Sequence, residues 1–353
     1  MLDYSLLRNI LFRFNAETSH NIVEFFLKLI KYMPFLNEYI IKINFIDDTK
    51  LHQNIFNTIF KHPIGLAAGF DKNGKIIDTT KTLGFSYSEI GTITLRPQSG
   101  NSKPRLFRHI KEKSIQNAMG FNNIGSYDVI KNIHNSNIKT PLGINIGKNK
   151  DIPNEYTLNQ YKILIDKFKD LCTYIVINIS SPNTLNLRDL QNEEFISDIF
   201  KLAKKLTSKP ILLKLSPDMS NEKAIKLCNV AISSGADGII ATNTTIDYSL
   251  VKNPINNGGI SGEVLNKKSY EFFKNIAKEF FGKTILISVG GISNATQAYE
   301  RLKAGASLIQ CYSGLIYQGP SMVRNINKDI LKLIQNDGYN NISDIIGIDI
   351  KNN

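Results

Sequence analysis

The sequence holds only three cysteines, Cys172, Cys228 and Cys311. They are odd in number, 56 and 83 residues apart, with no C-x-x-C pair and no histidine nearby. A disulfide framework and a zinc site are therefore not expected, no metal is called for, and a reducing compartment fits. Glycine and proline number 23 and 11 among 353 residues, which excludes collagen-like and low-complexity architecture and leaves no tract biased enough to be a linker. Long apolar runs are missing too. Within the first 33 residues the longest unbroken run is three residues, and Arg8, Arg13, Glu24, Lys28 and Lys31 interrupt the rest. A bilayer span needs roughly 20 apolar residues, and no small-residue cleavage site follows an apolar core, so neither a transmembrane segment nor a cleaved signal is expected. Acidic residues are the scarcer charge, 31 against 43 basic, for a net +12. That balance leaves nucleic acid, an anionic membrane surface and acidic small molecules open as partners.

What is present is apolar character, 42% of the chain, enough for one large domain or two ordinary ones and too much for disorder. Near the N-terminus two amphipathic helices are expected, one over residues 4 to 14 and one from Asn15 or Ala16 to about Met33, where Pro34 helps end it. Their apolar stripes are wide, as suits either a cap packed on the main domain or a helix pair touching a membrane. Residues 1–40 are read as this extension and 41–353 as the main domain.

From Pro63 onward the chain repeats a short apolar run, then small or polar residues, then a helical pattern. The runs are Ile64 to Ala68, Tyr87 to Gly91, Leu142 to Ile146, Tyr174 to Ile179, Ile211 to Leu215, Gly238 to Ala241, Ile285 to Val289 and Leu308 to Cys311. Continuous rather than alternating hydrophobicity suits parallel strands buried on both faces, and segments such as 191–207 and 220–233 have room for crossover helices. Eight such units without a composition break favour an α/β fold of the (β/α)8 TIM-barrel type over an open doubly wound sheet.

A barrel keeps its site at the C-terminal ends of its strands. The residues there are Ala68, Gly69 and Lys72; Thr92; Asn145; Asn178 and Ser180 to Thr184; Lys214; Thr242, Asn243 and Thr244; Gly290 and Gly291; Tyr312 and Ser313. They are small, amide, hydroxyl or lysine. No His, Glu or Cys triad stands among them, so metal-assisted and ordinary acid–base hydrolysis are poorly supported. Glycines after the last two strands are where barrels commonly hold a phosphate. A Gly-Gly pair alone is usually only a turn, and an asparagine in a loop usually caps one. The convergence of Asn117, Asn145, Asn178 and Asn243 is better explained by a planar, amide-rich ligand.

Seven motifs, in order, carry a resemblance: Gly65-Leu-Ala-Ala-Gly-Phe-Asp-Lys-Asn-Gly74, Asn117-Ala-Met-Gly-Phe-Asn-Asn123, Gly143-Ile-Asn-Ile-Gly-Lys-Asn149, Asn178-Ile-Ser-Ser-Pro-Asn-Thr184, Ala241-Thr-Asn-Thr-Thr245, Gly258-Gly-Ile-Ser-Gly262 and Val289-Gly-Gly-Ile292. With them the chain resembles the dihydroorotate dehydrogenases, and among these the quinone-dependent, membrane-associated class, from the N-terminal helices to about residue 347. The resemblance implies an FMN enzyme, one non-covalent FMN per chain, that oxidises dihydroorotate to orotate in pyrimidine biosynthesis with a quinone as acceptor. It implies that Ala68, Gly69, Lys72, Thr92, Asn145, Asn178, Lys214, Thr242, Gly262, Gly291, Tyr312 and Ser313 hold the flavin, its phosphate lying at Gly291 and Tyr312-Ser313. Lys72, Asn117, Ala118, Met119, Gly120, Phe121, Asn178, Asn183, Asn243 and Thr244 would hold the substrate. Ser181 matches the base that removes the C5 proton, with Thr184 and a water beside Phe121 as its relay.

Soluble members of the family carry Cys where this chain has Ser181, so the serine implies the quinone class independently of the helices. The helices would then form a quinone tunnel with His20, Arg108 and Tyr312 near its inner end, while Arg8, Arg13, Lys28 and Lys31 face anionic lipid. The implied location is peripheral, on the cytoplasmic face of a bacterial-type inner membrane; a monomer is expected, with no nucleic-acid partner. Three departures stand out. Leu185-Asn186 replaces the family's usual Pro-Gly, Ala118 stands where Arg is common, and Leu95 where Pro is common. The rival readings are a soluble fumarate- or NAD-coupled relative, a flavin barrel that reduces uridines in transfer RNA, and a non-enzymatic flavin-binding module. The second rival needs a catalytic cysteine in a mouth loop, and none of the three is so placed.

Overall fold

A computed structural model describes residues 4–184 and 187–351. The eight apolar runs become eight parallel strands: β1 (Ile64–Leu66), β2 (Tyr87–Ile93), β3 (Leu142–Ile146), β4 (Tyr174–Asn178), β5 (Ile211–Leu215), β6 (Gly238–Ala241), β7 (Ile285–Val289) and β8 (Leu308–Cys311). Each pairs with the next in sequence and β8 pairs with β1, which closes the barrel. Side chains alternate between the inside and the surrounding helices. Tyr87, Tyr174, Val176, Leu212, Ile240, Ile287 and Leu308 fill the lower interior, where Ile55 and Phe60 of a two-stranded hairpin (Gln53–Ile55 and Thr58–Phe60) join them as a plug. Gly65 and Gly143 make room for this layer, since a Cβ on either would stand 2.2 to 2.3 Å from the Tyr87 or Tyr174 ring.

At Gly91 the register between β2 and β3 shifts. Its φ is +108°, and a Cβ there would lie 2.3 Å from the Asn145 carbonyl, so only glycine fits the bulge that re-aims Thr92 toward the barrel mouth. Above the mouth sits a three-stranded antiparallel sheet of Leu106–His109, Ser114–Asn117 and Gly259–Gly262. This roof carries no clear sequence signal, because its short strands lie inside two long connections. It ties the loop after β2 to the loop after β6, setting Asn117 opposite Gly259.

The N-terminal extension has three helices, not two: α1 (Tyr4–Leu11), α2 (Ala16–Lys31) and α3 (Pro34–Asn44). Pro34 does end the second, but it also starts the third, at the first-turn position where a missing N–H costs nothing. The third helix therefore carries the extension past residue 40. Asn15 caps α2 by accepting from the Thr18 N–H at 2.8 Å. No helix among the described residues is long and apolar enough to cross a membrane. The three cysteines are free and buried.

Candidate functional site

Above the apolar layer the barrel interior turns polar. Glu89 is fully enclosed and points inward two residues after Tyr87. Its carboxylate accepts from Asn145 Nδ2 at 2.8 Å and Gln310 Nε2 at 2.6 Å, and it pairs with Lys214 Nζ at 3.4 Å. Four strands contribute one residue each to this cluster. Lys214 is thus a desolvated cation whose anionic partner is Glu89; the glutamate carries no local signal, because it sits within the apolar run Tyr87 to Gly91. Removing either partner would strand the other charge in a dry interior, at a cost of about 3–5 kcal/mol.

One layer higher the amides lock together. Asn178 Nδ2 donates to Thr92 Oγ1 at 2.8 Å and to Asn145 Oδ1 at 2.9 Å, and Thr92 Oγ1 donates to the same Oδ1 at 2.6 Å. Asn243 Nδ2 donates to Ser180 Oγ at 2.9 Å, and Asn183 Nδ2 to Asn117 Oδ1 at 2.9 Å. Ser181, 5% exposed, accepts at Oγ from the Asn183 N–H at 3.2 Å. Several groups here are left over. Asn183 Oδ1, Thr244 Oγ1 and Thr184 Oγ1 are buried with no hydrogen-bond partner among the described residues, a costly state that a bound ligand or ordered water relieves.

These residues surround a cavity that opens to solvent. Ala68, Gly69, Lys72, Thr92, Asn117, Met119, Gly120, Phe121, Asn178, Ser181, Asn183, Lys214, Thr242, Asn243, Thr244, Gly262, Gly291, Tyr312 and Ser313 all line it. Asn145 does not; it is buried beneath and acts through Thr92, Asn178 and Glu89. Ala118 also does not. It lies just past the end of the strand Ser114–Asn117 and borders a separate cleft with Asn101 and Lys150 instead of the cavity lined by its neighbours Asn117 and Met119. Leu185 and Asn186 lie outside the described residues.

Lys72 lies on the cavity wall, where burial, opposed by Glu17 and assisted by Arg105, pushes its pKa down to about 8. Phe121 takes φ +53°, a left-handed backbone that a bulky residue adopts only under constraint. Cys311 lines the cavity from within β8, and burial pushes its thiol up to about 12, so it is poorly suited to giving up a proton.

His20 and Arg108 stand outside the cavity but connect the helices to it. The His20 ring meets Phe70 edge-on at 5.1 Å, and Phe70 meets Tyr312 at 5.6 Å. Burial, then the nearby Lys72 charge, lowers His20 to about 4, so its imidazole is neutral. Arg108 donates to the Phe14 carbonyl at 2.8 Å and to Ser19 Oγ at 2.7 Å, with its guanidinium 4.5 Å from the Phe12 ring. Two anchoring arginines escaped the sequence reading. Arg105 holds Glu17 of α2 at 2.7 Å. Arg188 ties three mouth loops together, through Ser180 O at 3.1 Å, Asp218 at 3.1 Å and Thr244 O at 3.4 Å. An arginine in a polar stretch carries no local signal of such a role.

A closed parallel barrel whose mouth gathers buried amides, hydroxyls and two lysines has the polar site of a barrel enzyme. The chain belongs to the dihydroorotate dehydrogenase family, a flavin-dependent group of oxidoreductases, whose family model matches residues 50–334. It is 53% identical over 350 residues to the dihydroorotate dehydrogenase (quinone) of Sulfurovum sp. (strain NBC37-1), covering 99% of both chains. Against the protein of the same name from Corynebacterium glutamicum the identity is 39%, over 99% of this chain and 95% of the relative. Among solved structures, the Eimeria tenella DHODH in complex with ferulenol superposes with a TM-score of 0.84 at 31% identity, covering 95% of this chain and 96% of that one.

Proposed function

We propose that this chain oxidises dihydroorotate to orotate in pyrimidine biosynthesis, on one non-covalently held FMN, and passes the electrons to a membrane quinone. The observation that carries the reading is the convergence of Ser181, Lys72, Asn117, Asn183 and Asn243 on one cavity in a chain of this family. FMN fits the residues present. Gly69, Gly262 and Gly291 leave the cavity wall without side chains, and Lys214 supplies a buried cation at its floor. Ala68, Thr92, Asn178, Thr242, Tyr312 and Ser313 complete the set that would hold it. When bound, FMN accepts the two electrons that leave the substrate.

Lys72 and the amides of Asn117, Asn183 and Asn243 would orient the substrate's carboxylate and ring. Ser181 would take the C5 proton. A hydroxyl is a poor base unless it hands a proton on, and Thr184, three residues away with an unpartnered buried hydroxyl, is suited to a relay through a water beside Phe121.

The N-terminal helices are proposed to seat on a membrane surface. Of the eighteen large apolar side chains exposed among the described residues, twelve lie between Leu6 and Tyr39. Such a concentration marks an interaction site. Arg8 is turned inward to the Tyr317 carbonyl, and Lys28 and Lys31 are paired with Glu24 and Asp78, leaving Arg13 as the exposed cation of the four. Apolar insertion would therefore supply most of the binding, with Arg13 and the exposed Lys42 of α3 adding attraction to anionic lipid, and salt should weaken binding only in part. The test of function is anaerobic mixing of the purified flavoprotein with dihydroorotate. Bleaching of the flavin with stoichiometric orotate is expected, and an unchanged spectrum would overturn the reading.

A further inference from the structure

Behind the loop that follows β7 lies a buried cation with no anionic partner among the described residues. Arg301 sits on the helix Ala295–Lys303 and is 1% exposed. Its guanidinium donates to Ser288 Oγ at 3.2 Å, Ser269 Oγ at 2.9 Å, the Asn266 carbonyl at 2.9 Å and the Gly290 carbonyl at 3.3 Å, with the Tyr270 ring 4.9 Å away. Every partner is neutral. Glu271 and Glu300 act on it only from exposed positions, and neither forms an ion pair with it. Burial lowers its pKa to about 10, which leaves it charged at neutral pH. Enclosing a charge without a counter-ion is costly, and neutral side chains could satisfy the same carbonyls, so the charge itself calls for an anion.

The backbone shows where that anion would lie. The Gly290–Gly291 peptide is trans, so its carbonyl and its N–H point in opposite directions. Arg301 and Ser269 Oγ, the latter at 2.8 Å, hold the carbonyl on the outer side. The Gly291 N–H is thereby turned the other way, and it has no acceptor among the described residues. Gly291 lines the cavity with Gly262 and Ser313. Its φ is +69°, and a Cβ there would come within 2.6 Å of the Asn266 nitrogen and the Gly262 carbonyl oxygen, so the turn is built for glycine.

We infer that Arg301 is a positioning residue for the cofactor's phosphate: it grips the Gly290 carbonyl from outside the barrel wall, aims and polarises the Gly291 N–H toward the phosphate, and supplies a buried positive charge behind it. This inference rests on FMN being the ligand. A hydrogen bond donated by Arg301 to the Gly290 carbonyl strengthens the N–H donor on the other side of the same peptide, and a phosphate dianion gains most from that.

The test compares FMN with riboflavin, which has the same ring system and no phosphate. Full-length wild type, Arg301→Lys and Arg301→Gln are stripped of flavin and titrated with each, following flavin fluorescence. Arg301→Gln is expected to weaken FMN by about tenfold or more, the scale of one lost hydrogen bond involving a charged group, while riboflavin affinity stays within about twofold. Arg301→Lys should recover much of the FMN affinity, because it retains the charge. Equal losses for both flavins in Arg301→Gln would mean a merely structural role and would overturn the inference. A second measurement needs no variant. In the wild-type holoprotein the phosphorus NMR signal of bound FMN should stay at its dianion position from pH 7.5 to about 5, through the free phosphate's second pKa of about 6. A signal that titrates as in free FMN would overturn the inference even if Arg301→Gln does not fold. A wild-type protein that binds riboflavin and FMN equally would also refute it, whereas one that binds neither would instead sink the FMN reading beneath it.

Discussion

At the scale of single residues, the site depends on which buried polar atoms already have partners. Asn145, Asn178 and Thr92 satisfy one another and so form a pre-set frame. Ser181 and Thr184 are held less tightly: among the described residues Ser181 Oγ accepts only a local N–H, and Thr184 Oγ1 has no partner. In the proposed reaction they would be the groups that move the proton. Ser181→Ala should therefore keep flavin and orotate binding, yet slow flavin reduction by dihydroorotate about 10²-fold or more, as expected for losing a positioned base. Stopped-flow single turnovers decide it, and equal rates in mutant and wild type would assign the base elsewhere. The position was legible in the sequence because Ser181 belongs to a seven-residue motif. Glu89, Arg188 and Arg301 were not, because their partners come from other strands or loops.

At the scale of elements, the three N-terminal helices combine an anchored face with an open one. Leu11 and Leu27 are buried, and Glu17 latches Arg105, so deleting α1 and α2 would also open the barrel's flank. Point changes on the open face are cleaner. Phe25, Phe26 and Leu29 are exposed, and each apolar side chain inserted into a bilayer is worth about 1.5–3 kcal/mol. Replacing all three with serine should leave flavin reduction by dihydroorotate within about twofold, while vesicle binding and reoxidation by a long-chain quinone fall about tenfold or more. A water-soluble quinone should still reoxidise the variant. Unchanged long-chain quinone turnover would place the acceptor's entry elsewhere.

For the whole molecule, stability and pH are linked through histidines shut away from water. His62, at the start of the barrel and 0% exposed, has its pKa pushed down by burial to about 3; His20 is lowered to about 4. Unfolded histidine binds its proton near pH 6.5. Below that pH the unfolded chain gains protons that the folded one refuses, so stability is full above about pH 6.5 and is lost as pH falls toward the folded values, by up to about 1.4 kcal/mol per unit for His62. Asp71, whose carboxyl burial raises, works in the opposite direction, so the difference between variants is the useful quantity. Urea unfolding at pH 7.5 and pH 5 should show a smaller acid loss in His62→Gln than in wild type. Parallel losses would mean that His62 is not the group responsible.

The barrel was readable along the chain because each strand is a short run buried on both faces, and such runs carry their signal locally. Five of the eight have the bounds expected of them. The third helix was lost because Pro34 can end one helix and open another, and a single residue does not say which. The small and amide residues at the strand ends also pointed to the mouth before any geometry was known. What only the tertiary structure decided is how those residues are supported: Glu89 beneath Lys214, the antiparallel roof that sets Asn117 across from Gly259, Ala118 facing away from the cavity, and Arg301 behind Gly291. Each depends on contacts between segments far apart in sequence. Charge and hydrogen-bond partners act through space, and no local pattern of residue types encodes them.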